Sequence, residues 1–253
     1  MKLNNFLIIL FSLFASQLLA DDSSLLFKQA NDFYAKSEFQ KAIELYEKVE
    51  ATGMVSAELY YNIGNAYYKN NEIGKAILNY ERAKKINPED EDINFNLKLA
   101  NQKTEDKIEA APTLFLSQWK TGILDLMSEK AWSITTILFF SVSLILLFLF
   151  FYFQHPLLKK IGFFLGLIML VLSVFAFVFA KSSYHAIAYS NDAIIIAPSV
   201  TVYGSPNEKG TKLFVLHEGV KVAITESETF DWIEIKIANG NVGWIQSNKL
   251  EKI

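Results

Sequence analysis

Few side chains in this sequence are suited to covalent chemistry: there is no cysteine, and the histidines are His155, His185 and His217. They fall between two apolar runs, just beyond the second run, and in a distant stretch of alternating residues, so nothing in the spacing brings them together. The sequence has no nucleophile-and-base motif, glycine-rich phosphate loop or metal-ligand spacing, and it gives no reason to expect a catalytic or metal site or a cofactor. What it does carry is a recognition stripe. Tyr61, Asn65 and Tyr68 recur at intervals of four and three, which places them on one face of a helix. Aromatic rings flanking an amide can seat apolar side chains of a bound segment while the amide bonds its backbone.

The elements that position this stripe emerge from composition. The chain of 253 residues is 51% apolar with 21 Phe, yet its net charge is only -3. Neither a basic nucleic-acid binder nor an acidic disordered tail fits these values. The apolar residues are concentrated in three runs, which points to small modules on a membrane rather than one large core. The lack of cysteine removes disulfides, thiol catalysis and Cys-ligated metals.

The chain is similar to itself at a fixed offset: Ala30 pairs with Gly64, Phe33 with Tyr67, Ala42 with Ala76 and Tyr46 with Tyr80. Such a period marks stacked helical repeats. Gly64 and Ala76 are small where two helices must cross closely, and Tyr67 and Tyr80 fill the space around the crossing. Asn70-Asn71 suits a left-handed turn between the helices, Gly53 ends the earlier pair, and Asn87-Pro88 stops the later one. Beyond Pro88, acids at a helix start and a stripe of Ile93, Leu97 and Ala100 predict a capping helix.

Residues 57–90, with Tyr60, Ile63, Gly64, Tyr67, Ala76, Tyr80, Ala83 and Pro88 in place, resemble the tetratricopeptide repeat (TPR), and residues 23–56 are a weaker copy. The resemblance implies an all-α solenoid with a concave, partner-binding groove lined by the first helix of each pair. Carried over position by position, the lining is Phe27, Asn31 and Tyr34, then Glu58, Tyr61, Asn65 and Tyr68, then Asp92 and Phe95. Asn31 and Asn62 match the family's clamp for a terminal carboxylate, but Asp92 and Asn96 stand where its basic residues belong, which argues against that ligand. A short array acting only as a spacer is the competing reading.

The first apolar run, MKLNNFLIILFSLFASQLLADD, has a basic head, a short apolar core and small-residue Ala20 before two acids, and is expected to be a signal peptide over residues 1–20, with an uncleaved anchor as the alternative. Residues 131–153 and 161–180 contain no charge, and the first would reach about 34 Å as a helix, enough to cross hydrocarbon. Two such runs separated by QHPLLKK read as a transmembrane hairpin. Lys159 and Lys160 favour a cytoplasmic loop over residues 154–160, with both soluble parts on the extracytoplasmic side of the cytoplasmic membrane. Before it, residues 113–130 with Trp119, Leu116, Ile123 and Met127 suit either an interfacial helix or a helix packed under the solenoid.

After a linker over residues 181–191, the periodicity becomes two. Val220, Val222 and Ile224 alternate with polar or small residues, as do Ile233, Ile235 and Ile237, and Asn239-Gly240 is a strong hairpin signal. The stretch resembles a bacterial SH3 domain in strand order and in its DW, NG and GW pairs, which implies an all-β barrel over residues 192–253. Trp232 and Tyr203 are its candidate ligand contacts, although Tyr203 replaces an arginine common in that family. Trp244 is expected in the core.

The expected fold class is therefore a multidomain membrane protein: repeats over residues 21–112, a two-helix transmembrane hairpin and an SH3-like barrel. That order resembles the tetratricopeptide members of the Bat proteins of the aerotolerance operon. The resemblance implies a non-enzymatic scaffold in a membrane complex with von Willebrand factor A domain proteins and a MoxR-type ATPase. A peptidoglycan-binding role for the barrel is the alternative.

Overall fold

The computed structural model describes residues 23–109, 111, 119, 122–124, 126–152, 154–188, 190–229 and 231–253. The expected signal peptide and half of the expected interfacial segment lie outside the described residues. The chain divides into two compact units, Met1–Ala111 with Asn191–Ile253, and Pro112–Ser190.

The first unit begins with helical pairs. Helix α1 spans residues 23–35, followed by α2 (Phe39–Ala51), α3 (Ala57–Lys69), α4 (Ile73–Ile86) and α5 (Glu91–Gln102). The repeat extends to individual backbone bonds. Glu38 N–H donates to the Phe33 carbonyl and Glu72 N–H to the Tyr67 carbonyl, each at 2.9 Å. The left-handed turns stand at Ser37 (φ 62°) and Asn71 (φ 65°), and Gly53 (φ 86°) ends α2 as its sequence position predicts. Ser56 caps α3 by accepting from Leu59 N–H, and Asp90 caps α5 by accepting from Asp92 and Ile93 N–H. Ala42, Tyr46, Ile63, Ala76, Tyr80 and Leu97 share one buried core. At its centre, a Cβ on Gly64 would lie 2.7 Å from the Tyr80 ring, so only glycine allows α3 and α4 to approach this closely.

The carboxy-terminal part is a seven-stranded antiparallel sheet in the order β3-β2-β6-β5-β4-β1-β7. Its strands are β1 (Asp192–Ile195), β2 (Ser199–Tyr203), β3 (Lys212–His217), β4 (Lys221–Thr229), β5 (Trp232–Lys236), β6 (Val242–Gln246) and β7 (Leu250–Lys252). The Asn239-Gly240 turn joins β5 to β6 as expected, with Gly240 at φ 93° and its N–H on the Ile237 carbonyl at 2.9 Å. Val200, Val202, Leu216, Val222, Ile235 and Ile245 form the core of one face. The antiparallel sheet suits the expected SH3-like barrel but is not closed: among the described residues β3 and β7 do not pair with each other, and three-residue β7 pairs with β1.

These two parts, 80 residues apart in sequence, fold onto one another through α4. Gly74, Ile77, Glu81 and Arg82, and Lys85 lie on one stripe of the helix. The Glu218 carboxylate accepts from Gly74 N–H at 3.1 Å, capping a helix whose own N-cap residue, Glu72, makes no side-chain cap bond. Lys221 reaches Glu81 at 3.0 Å and Asp192 at 3.3 Å. Arg82 donates to the Glu251 carboxylate at 2.8 Å and the Lys252 carbonyl at 2.9 Å, and Lys85 to the Ile253 carbonyl at 3.1 Å. Ile194 of β1 belongs to the helical core, while a Cβ on Gly219 (φ 87°) would lie 2.8 Å from Ile77. The segment after α5 continues the contact: Asp106 accepts from His217 N–H at 2.7 Å, and Ile108 packs on the sheet core.

The second unit holds α6 (Glu129–Tyr152) and α7 (Pro156–Ala188), both long and apolar enough to cross a membrane. Helix α6 starts two residues before its uncharged run, and α7 extends past its own at both ends. Pro156, pre-organised for a first helical position, starts α7 inside the expected loop, and Leu157 N–H is accepted by the His155 ring at 3.3 Å. Lys159 and Lys160 are therefore helical, and with no Gly or Pro to stop it α7 continues through most of the expected linker. Small residues let the pair close: Gly162 and Gly166 face Leu146 and Leu147, and Ala176 and Ala180 are buried. Ser143 donates to the Gly166 carbonyl at 2.8 Å and Ser173 to the Thr136 carbonyl at 3.1 Å.

Two expectations follow for the helical core. Gly64→Ala should destabilise the first unit by about 1–3 kcal/mol despite the better helix propensity of alanine, because the new methyl meets the Tyr80 ring; an unchanged thermal midpoint would refute the close crossing. Burial, assisted for Tyr67 by its hydrogen bond to Glu47, holds the hydroxyls of Tyr46, Tyr67 and Tyr80 protonated well above the ordinary tyrosine value of 10.0. Since the folded state then binds more protons than the unfolded state, this contribution is complete below about pH 10 and declines as pH rises beyond it. The midpoint of the wild type should fall above that pH, and that of Tyr80→Phe more shallowly; identical slopes would contradict the burial of Tyr80.

Candidate functional site

The groove is built on the first helices, which present one face to α2 and α4 and leave the other open. Tyr34, Tyr61, Asn65 and Tyr68 converge on a cavity of about 260 Å³, together with Lys69, Tyr80, Asn96 and Leu99. The Tyr61 and Tyr80 rings are 6.1 Å apart, and the Lys103 ammonium sits 4.1 Å over Tyr68. Burial, then the neighbouring Tyr61, raises the Tyr34 hydroxyl above its ordinary value, so it too remains a neutral donor.

Asn65 is the hinge of this arrangement. Its Oδ1 accepts from the Tyr80 hydroxyl at 2.7 Å and from Asn96 Nδ2 at 2.9 Å, while Asn96 Nδ2 also donates to the Tyr61 hydroxyl at 3.0 Å. With its oxygen so engaged, Asn65 has its amide N–H groups to offer a ligand. The same bond recurs one repeat earlier, where Asn31 Oδ1 accepts from Tyr46 at 2.5 Å. The stripe is thus tied into the fold. Truncation of Asn65 therefore has a structural consequence: Asn65→Ala would strand the buried Tyr80 hydroxyl.

The other groove positions divide. Glu58, Tyr61 and Asp92 line a second cavity of about 310 Å³ with Asp90 and Ile93, so Tyr61 borders both. Phe27 and Asn31 instead meet Tyr46, the rings of Phe27 and Tyr46 being 5.8 Å apart. Phe95 is 66% exposed and borders neither cavity. Sequence reasoning did not pick out Lys69, Tyr80, Asn96 or Leu99 as lining; the offset between repeats could have indicated Tyr80, since Tyr46 stands at the same place beside Asn31.

On the sheet, the Tyr203 and Trp232 rings meet edge-on at 5.7 Å. Trp244 is buried, but its register puts it opposite Tyr203 and Glu234, whereas its neighbour Ile245 is in the core. Trp244 is thus buried as expected of a core residue, on the sheet face that carries the aromatic pair. Among the described residues, no group of three or more His, Asp or Glu could hold a metal ion.

Residues 57–90, which comprise α3, α4 and the turn after them, match the tetratricopeptide repeat family. Among solved structures, the crystal structure of the Sgt2 TPR domain from Aspergillus fumigatus is similar, with 26% identity over 32% of this chain and 54% of that one and a TM-score of 0.31. The chain thus spans about half the length of that structure. No curated protein matches. The segment that carries Tyr61, Asn65 and Tyr68 is a tetratricopeptide repeat, a module type that suggests a protein-protein interaction scaffold, and no enzyme family is indicated.

Proposed function

We propose that the chain is a non-enzymatic, membrane-anchored scaffold that holds a protein partner in its repeat groove on the extracytoplasmic side of the membrane. The observation that carries this reading is the cavity bordered by Tyr34, Tyr61, Tyr68 and Leu99 with the Asn65 amide among them. Apolar side chains of a bound segment seat on the rings, and a backbone carbonyl accepts from Asn65. The docking of the sheet on α4 supports the topology. Two parts of one compact unit must share a side of the membrane, and the pair of spanning helices between them in sequence returns the chain to that side. Membership of a Bat-type complex, with von Willebrand factor A domain proteins and a MoxR-type ATPase, rests on the order of modules along the sequence.

The contact between Tyr203 and Trp232 favours a second reading, in which the sheet binds a cell-wall peptide and the repeats serve as its support. One experiment separates the two. Affinity capture from membranes should lose its protein partner at least tenfold with Asn65→Asp plus Tyr68→Ala, because aspartate keeps the acceptor that Tyr80 and Asn96 need while removing the amide donors. Trp232→Ala should leave capture unchanged. Full retention by the groove variant refutes groove recognition, and loss of cell-wall cosedimentation with Trp232→Ala would establish the second reading.

A further inference from the structure

At the end of the apolar hairpin remote from its turn, α6 and α7 part around an open groove of about 380 Å³. Its floor is hydrocarbon, from Ile137, Phe177 and Ala180, and its rim carries Glu129, Ser133, Lys181 and Tyr184. The positions along each helix explain the change in character. Glu129 is the first residue of α6 and Lys181 is the first charge after the uncharged run of α7, so the rim stands where hydrocarbon gives way to headgroups. Trp132, whose ring lies 5.1 Å from that of Phe179, marks the same level. Ser133 donates to the Glu129 carboxylate at 3.2 Å. Glu129 and Lys181 border one groove, yet no ion pair joins them.

We infer that this groove binds a phospholipid whose headgroup ends in a primary ammonium. Such a headgroup matches the rim charge for charge. Its phosphate accepts from the Lys181 ammonium and the Tyr184 hydroxyl, its ammonium donates to the Glu129 carboxylate, and its first acyl segments lie over Ile137 and Phe177. A trimethylammonium headgroup has no N–H to donate to Glu129. A glycerol headgroup has no positive charge there. The site would fix the depth of the hairpin and its rotation at the membrane surface.

The inference rests on the membrane reading above, and the test keeps the two apart. The full chain, purified in detergent, is exposed to an equimolar mixture of phosphatidylethanolamine, phosphatidylcholine and phosphatidylglycerol with identical acyl chains, and retained lipid is counted by native mass spectrometry. The wild type should retain phosphatidylethanolamine about three- to tenfold over the other two. Glu129→Gln should abolish that preference, and Lys181→Gln should lower retention of all three lipids. Should Lys181→Gln fail to fold, Tyr184→Phe, which removes one hydroxyl, should weaken retention in the same direction. Equal retention by the wild type, or a preference that survives Glu129→Gln, overturns the site. A chain that stays monodisperse without detergent instead refutes the membrane reading.

Discussion

Helix α4 carries packing duties on opposite sides, and the first unit depends on its ability to do both. Ala76 and Tyr80 close the crossing with α3, and Tyr80 reaches on to hold Asn65. The stripe from Gly74 through Ile77 and Glu81 to Lys85 receives the sheet. Most solvent-facing helices leave one side to water. Here Ile77 is about as buried as Ala76, because the sheet takes the place of solvent. The N-terminus of α4 is finished by the sheet as well, since Glu218 supplies the cap that the local sequence lacks.

That arrangement separates support from recognition. The sheet occupies the α4 stripe, while Tyr34, Tyr61 and Tyr68 border a cavity on the first helices. Asn65 links the two through Tyr80, so a change on the sheet side of α4 can be felt at the groove without contacting it. The buried tyrosines act as struts: each joins ring packing to one directed hydrogen bond, which fixes helix rotation more sharply than an aliphatic residue could.

The sequence made the helical pairs legible because their period is fixed and their breakers are local. Gly53, Asn71 and Pro88 stand where the chain must turn, and the apolar stripe of α5 needed no tertiary information. The alternation in β4 and β5 and the Asn239-Gly240 turn were equally readable. What it did not reveal was the docking, which depends on the fit of surfaces far apart in the chain: Gly74 and Gly219 are glycines because another element lies against them, and nothing near them in sequence says so. The apolar pair Ile77-Leu78 was the available hint. At the site, the ring stripe was legible from helical spacing alone. The role of Asn65 as an acceptor for Tyr80 and Asn96 was not, because it requires knowing which residues of neighbouring helices face it. In the hairpin, α7 runs past its uncharged stretch because the absence of charge marks hydrocarbon, whereas a helix continues until something stops it.

The central claim, that repeats and sheet form one body on one side of a membrane, can be tested directly because the chain has no native cysteine to interfere. Cysteines placed at Glu81 and Lys221 in the full chain, still in its native membrane, should be joined within one molecule by a short bismaleimide, while a control pair at Glu44 and Lys209 should not. The cross-linked peptide is read by mass spectrometry after digestion. Efficient joining of the first pair is the predicted result; labelling of both cysteines without any link between them would contradict the docked unit and the topology it supports.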